Sequence, residues 1–304
     1  MEAYETWLGR ATDSLYSVAY GPAAVDCVGG GSNCLTNTFE FSTWFGTSTV
    51  VRAAKTVWSL TLAPCDHAIN ISGGGCTTGH TVTLANVAAG VADTAYNAAF
   101  TELQSLGVKI IRLGWEMNGT SFTWAINASG GSTTSNTVYV QAFQHIAALA
   151  HTYGFLVDWC PGLGPASGNA DYFYPGDAYA DIIGEDFYDY LSQNFTFYQT
   201  WSYGLNWQTS FATLHGKPIA YDEWGCGGTD STDAHCANII AGMASLMQSN
   251  PVLYFNFWNS QSSPALSKQI CDNGTAGFCG SPYQIPLSEA AFCTAFKGAL
   301  SPTC

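Results

Sequence analysis

Along this chain, apolar stretches with helical spacing alternate with short apolar runs, and glycine repeatedly separates the two. In residues 93–106, Tyr96, Ala99, Leu103 and Leu106 recur at helical intervals, which predicts an amphipathic helix stopped by Gly107. Residues 108–113 follow at once as a buried strand. Residues 137–153 form a second helix by the same criterion, with Phe143, Ile146, Ala147 and Ala150 on one side, and Gly154 stops it before the strand at 155–159. Residues 207–215 and 234–249 are further helices, followed by strands at 218–221 and 252–258. Earlier strands are expected at 15–20 and 56–62, and residues 180–185 run into a further polar-ended segment, Asp186-Phe187-Tyr188-Asp189.

The unit of helix, stop, buried strand and polar loop recurs at 93–119, 137–161, 207–225 and 234–259. Such repetition implies parallel strands with helices outside. The predicted fold class is therefore α/β, a single (β/α)8 TIM barrel occupying residues 1–304 as one catalytic domain, with disulfide-stapled loops. A doubly wound open sheet is the alternative, disfavoured because no glycine-rich phosphate loop follows the first strand. In a barrel, the residues just past the strand ends form the working face.

Composition narrows the partners. The chain has 304 residues, only 10% charged, with eight Lys+Arg and a formal net charge of −14. That balance argues against nucleic acid and anionic membrane surfaces. No run approaches the roughly 20 apolar residues of a membrane span. Eleven cysteines are many for a cytosolic enzyme, and the close pairs 27/34, 65/76, 226/236 and 271/279 lie in polar loops, with 293/304 as a possible fifth. That leaves Cys160 over, as a buried thiol in an apolar strand. These features predict a secreted monomer. Five glycosylation sequons begin at Asn70, Asn118, Asn127, Asn194 and Asn273. Neither C-x-x-C nor H-E-x-x-H spacing occurs, so neither metal nor cofactor is expected.

Two strand ends carry the candidate chemistry. Residues 109–119 read KIIRLGWEMNG and residues 218–225 read PIAYDEWG. Each delivers a glutamate, Glu116 and Glu223, from a buried strand into a polar loop. Either glutamate alone has a structural reading, as a partner of Arg112 or as part of an acidic rim. Together, with Trp115, Trp124, Trp224 and Trp258 nearby, they fit a pair of carboxyls that cleaves a glycosidic bond. One is protonated to assist the leaving oxygen; the other is ionised to attack the anomeric carbon or activate water. Aromatic rings stack on sugar faces, and amides and tyrosine hydroxyls bond sugar hydroxyls. Asn118, Trp159, Asp186 and Tyr188 complete the candidate list.

At these residues the chain resembles clan A glycoside hydrolases, most closely family 26, typified by endo-β-1,4-mannanases. Residues 112–119, RLGWEMNG, resemble that family's acid/base strand, and residues 216–225, GKPIAYDEWG, its nucleophile strand. Residues 90–106, 139–161 and 174–189 resemble its intervening helix and strand segments, the last in YPGDAYADIIGEDFYD. The resemblance implies Glu116 as acid/base, Glu223 as nucleophile and Tyr188 as hydrogen-bond partner of the nucleophile. It implies Arg112 as a support below the site and Trp258 as a stacking floor. The mechanism implied is retaining double displacement on a β-linked polysaccharide or oligosaccharide, β-1,4-mannan first. Trp115 stands where the family usually carries His. That leaves a glucanase, xylanase or exopolysaccharide hydrolase as alternatives, beside a carbohydrate-binding barrel without catalysis.

Overall fold

The computed structural model describes residues 15–17, 56–62, 83–119, 122, 124–125, 136–164, 169–226, 232–257 and 286–297. Trp258, the cysteine pairs 27/34, 65/76 and 271/279, and Cys304 of the pair 293/304 lie outside what it describes. The chain divides into two compact units.

One unit comprises residues 14–184 and 212–217. Its strands are β1 (Leu15–Ser17), β2 (Thr56–Leu60), β3 (Ile110–Leu113), β4 (Leu156–Trp159) and β5 (Ile182–Ile183). They pair in that order and all in parallel. Two long helices supply the crossovers: α2 (Asp93–Leu106) returns the chain from β2 to β3, and α3 (Asn136–Thr152) from β3 to β4. A short helix, α1 (Leu84–Ala88), precedes them and was not expected from periodicity. It is started by a reciprocal cap between Thr83 and Asn86.

The predicted stops hold. Gly107 ends α2 in the left-handed region at φ 87°. The amide of Val108 then bonds Leu103 O, so the chain leaves the helix already aimed at the sheet. Gly154 does the same for α3 at φ 81°. The buried face of α2 is Ala95, Tyr96, Ala99, Phe100 and Leu103; that of α3 is Tyr139, Ala142, Phe143, Ile146, Ala147 and Ala150. Polar ties join these helices at their rims. His145 meets Asp93 at 2.6 Å, and Tyr153 OH donates to Asn97 at 2.7 Å. His151 meets Asp181 at 2.8 Å, and the same carboxylate oxygen accepts the amide of Val157 on β4.

The other unit comprises residues 1–13, 185–211 and 218–304. Its described strands, β6 (Asp186–Tyr188), β7 (Ile219–Gly225) and β8 (Val252–Phe257), are again parallel. Helix α4 (Phe195–Thr200) follows β6, with Asn194 as its N-cap. Helix α5 (Leu205–His215) starts in this unit, α6 (Asp233–Ser249) joins β7 to β8, and α7 (Pro286–Phe292) runs into a single π turn at Cys293–Lys297. Among the described residues no helix is long and apolar enough to cross a membrane. Cys226 and Cys236 form a disulfide, as their spacing suggested. Cys160 is a fully buried thiol at the end of β4.

Carboxylates in this second unit are met by phenols. Tyr188 OH donates to Glu223, Tyr198 OH to Asp189 and Tyr254 OH to Asp222, each at 2.5 Å. In a chain with 16 tyrosines and eight Lys+Arg, phenols thereby satisfy these buried acids. Glu185 is the exception. It is fully buried, and neither carboxylate oxygen has a hydrogen-bond partner. Burial alone pushes its carboxyl well above the usual carboxylate range.

A carboxyl held protonated by the fold favours the native state most below the unfolded-state value, and that advantage shrinks as pH rises above it. Glu185→Met should therefore raise the melting temperature at pH 7 by at least about 2 °C. The gain over wild type should diminish as the pH falls toward 4, and thermal unfolding across pH 4–8 measures both.

Candidate active site

The first candidate glutamate is placed by an unusual backbone. After β3 the chain turns through Gly114, φ 51°, whose amide bonds Leu60 O at 3.0 Å. A Cβ here would lie 2.8 Å from Cβ of Leu62, so both the turn and the close approach to the loop after β2 require glycine. Two residues on, Glu116 itself adopts φ 49°. A non-glycine residue in the left-handed region is disfavoured, and such positions cluster at working sites. The amide of Glu116 donates to Cys160 O at the end of β4, 2.8 Å, and its carbonyl accepts Gly119 N at 2.9 Å, closing a tight turn.

Asn118 locks that turn to the neighbouring strand end. Its Oδ1 accepts Gly162 N at 2.8 Å, and its Nδ2 donates to Gly162 O at 2.7 Å. Asn118 was expected to bond a sugar; here its amide holds backbone and is 2% exposed. Gly162 also lies beside the Glu116 side chain: a Cβ at this position would lie 3.5 Å from Glu116 Cγ.

Trp115, Phe122 and Trp124 pack together on the same turn. Trp124 stacks on Phe122 at 4.8 Å between ring centres, and Trp115 meets both edge-on at 5.0 and 4.8 Å. Trp124 Nε1 donates to Trp115 O at 2.7 Å. Arg112 is buried beneath them, its guanidinium 5.1 Å from the centre of the Trp115 ring, within cation–π range, and 3.4 Å from Ser59 Oγ. Trp115 and Trp124 are each 1% exposed, so this cluster backs the Glu116 turn and shows no open ring face.

The second candidate glutamate lies in the other unit. Parallel register sets Asp186 beside Glu223 and Tyr188 beside Gly225. Tyr188 OH reaches across to Glu223 Oε2 at 2.5 Å. Glu223 and Tyr188 are each 9% exposed and Asp186 is 2% exposed. Between Tyr221 and Trp224 the register against β8 slips, with three steps on β7 facing two on β8. This bulge brackets Asp222 and Glu223, and a bulge re-aims the side chains it contains. Asp222 is held by Tyr254 OH through Oδ1 and by Asn256 Nδ2 through its carbonyl, 3.1 Å.

Two rings expected to contact sugar are buried in this structure. Trp224 packs on Phe257 at 4.8 Å and on Phe292 and Phe296 of the C-terminal helical segment, fully buried. It serves as core, because successive strand residues point to opposite faces and Glu223 takes the other one. Trp159 is likewise fully buried, with Nε1 donating to Phe173 O at 3.1 Å and its ring edge-on to Tyr174.

Comparison with known proteins follows the same lines. Residues 79–215 match the sequence model of Glycosyl hydrolase family 26. That stretch includes residues 90–106, 112–119, 139–161 and 174–189, where the motif resemblance lies, and ends just before residues 216–225. A search of the curated proteins finds no match. Among solved structures, a double mutant of Cellulomonas fimi endo-beta-1,4-mannanase is similar at TM-score 0.63 and 18% identity, over 96% of this chain and 66% of that one. The chain thus spans about two thirds of that mannanase. Bacillus subtilis mannanase BCman is similar at TM-score 0.55 and 16% identity, over 97% of this chain and 80% of that one. The family 26 β-mannanase BoMan26A of Bacteroides ovatus gives 0.54 and 16%, over 94% and 87%. At these identities the likeness establishes the α/β fold of parallel strands and crossover helices.

Two outcomes test the Glu116 turn. Gly114→Ala should cost about 1–3 kcal/mol in denaturant unfolding, from backbone strain and the clash with Leu62. In material secreted from a glycosylating host, peptide mass spectrometry should find Asn118 unmodified, since its amide is buried and bonded to Gly162.

Proposed function

We propose that the chain is a secreted, monomeric, retaining glycoside hydrolase that cuts inside a β-linked polysaccharide, β-1,4-mannan first. The observation that carries the reading is the Tyr188–Glu223 hydrogen bond on adjacent strand ends, in a chain whose residues 79–215 match family 26. A carboxylate that attacks an anomeric carbon must be ionised and held still. A phenol donating to one of its oxygens holds it still by fixing the rotamer.

In this mechanism Glu223 attacks the anomeric carbon and forms a glycosyl ester. Glu116 gives its proton to the leaving oxygen, then takes a proton from the water that releases the ester. The strained backbone at Glu116 supports the assignment, since such cost persists where placement of the side chain is selected. Retention requires the two carboxyls about 5–5.5 Å apart. A closed (β/α)8 barrel of one domain, with further cysteine pairs stapling its loops, is the architecture that would bring strand ends together in this way. That Trp115 occupies the position before the acid/base leaves β-glucan, xylan and exopolysaccharide as the other arms of a substrate panel.

Glu116→Ala and Glu223→Ala should each remain folded and lower kcat on soluble β-1,4-galactomannan by at least about 10²-fold. Reducing-end release measures this, and NMR of the first product should show retained β configuration. Undiminished hydrolysis in either variant would refute the assignment, and an inverted product would refute the mechanism.

A further inference from the structure

Resting on the reading of Glu223 as nucleophile, we propose that Asp189 is a positioning residue for the Tyr188–Glu223 pair, acting through a buried brace with Tyr198 and His235. Asp189 directly follows Tyr188 and is fully buried. Its Oδ1 accepts Tyr198 OH from α4 at 2.5 Å, and its Oδ2 meets His235 Nε2 from α6 at 2.6 Å. Its amide donates to Gly225 O at the end of β7, 3.2 Å. The residue next to Tyr188 is therefore fixed from three separate elements.

The brace closes on itself. Gly225 adjoins Cys226, Cys226 is bridged to Cys236, and Cys236 adjoins His235, which returns to Asp189. His235 is itself set in the first turn of α6, whose N-cap Thr232 accepts its amide at 3.2 Å. The ring of Tyr198 packs edge-on against Phe187 at 5.0 Å, so the residues on both sides of Tyr188 are held by one side chain. The hydrogen bond of Tyr188 to Glu223 depends on the placement of the backbone that carries the phenol. A buried carboxylate is a costly way to anchor a loop, and fully satisfied networks of this kind fix one arrangement in preference to near alternatives. Tyr198 and His235 lie 9 and 46 residues from Asp189 in sequence, yet both converge on it beside the proposed nucleophile.

The test compares wild type, Asp189→Asn, Tyr198→Phe, His235→Ala and His235→Gln on soluble β-1,4-galactomannan, with Glu223→Ala as the control for the functional reading. Asp189→Asn and Tyr198→Phe should lower kcat about 10- to 100-fold, with KM within about twofold, because misplacing the pair affects the transition state more than binding. His235→Ala should show the same split. His235→Gln, which keeps a donor for Asp189, should recover most of kcat. Circular dichroism establishes that each variant is folded; if Asp189→Asn is not, Tyr198→Phe decides. Folded variants with wild-type kcat, or a rise in KM alone, overturn the brace while the Glu223→Ala loss still upholds the functional reading. A wild type that cuts no β-linked polysaccharide overturns that reading and the proposal with it.

Discussion

Parallel pairing is the constraint on which the rest of this structure depends. Parallel neighbours cannot be joined by a tight turn, so each strand requires a helical return and every strand ends on the same side of its sheet. That is why Glu116 and Gly162 emerge together after β3 and β4, and why Tyr188 and Glu223 lie together at the end of β6 and within β7. The helices earn their place by burying one face each, and glycine in the left-handed region converts a helix end into a strand start within four residues. Within each unit, strand-end chemistry follows from this ordering.

What the strand ends carry is shaped by a scarcity of cations. Eight Lys+Arg stand against 22 Asp+Glu, and the structure meets the imbalance with phenols and imidazoles. Phenols bond Asp189, Asp222 and Glu223, while His145, His151, His215 and His235 each bond an aspartate. A phenol can satisfy a buried carboxylate without a second desolvated charge, which avoids the penalty of a buried ion pair. The cost is directionality: each donor has a single proton and must be aimed. A surface poor in charge and an interior rich in aimed hydroxyls are two aspects of one composition.

Much of the architecture was legible because its signals are local. The period of α2 and α3, their glycine stops and the apolar runs after them all lie within a few residues of one another, and the structure returns α2 at Asp93–Leu106 and α3 at Asn136–Thr152. Both glutamates could be seen for the same reason, each as a charged residue ending an apolar run. The partner that holds Glu223 was available only through family resemblance, since Tyr188 lies 35 residues away. The roles of Asn118, Tyr198 and His235 were not legible at all, because their partners are backbone atoms or residues brought near by crossovers. The burial of Trp224 had a local signal: a strand residue adjacent to one facing a site faces away from it. The bulge that brackets Asp222 and Glu223 left no mark in the sequence, for neither glycine nor proline creates it.

The left-handed conformation of Glu116 has a consequence for how this chain can change. Glycine would relax the backbone there, so the substitution that deletes the carboxyl most completely is also one the fold would welcome. Stability and chemistry pull in opposite directions at that position. On the proposed role of Glu116, a sturdier but silent protein is a single residue away, and a glutamate persisting there would be evidence of selection on the reaction and not on the scaffold.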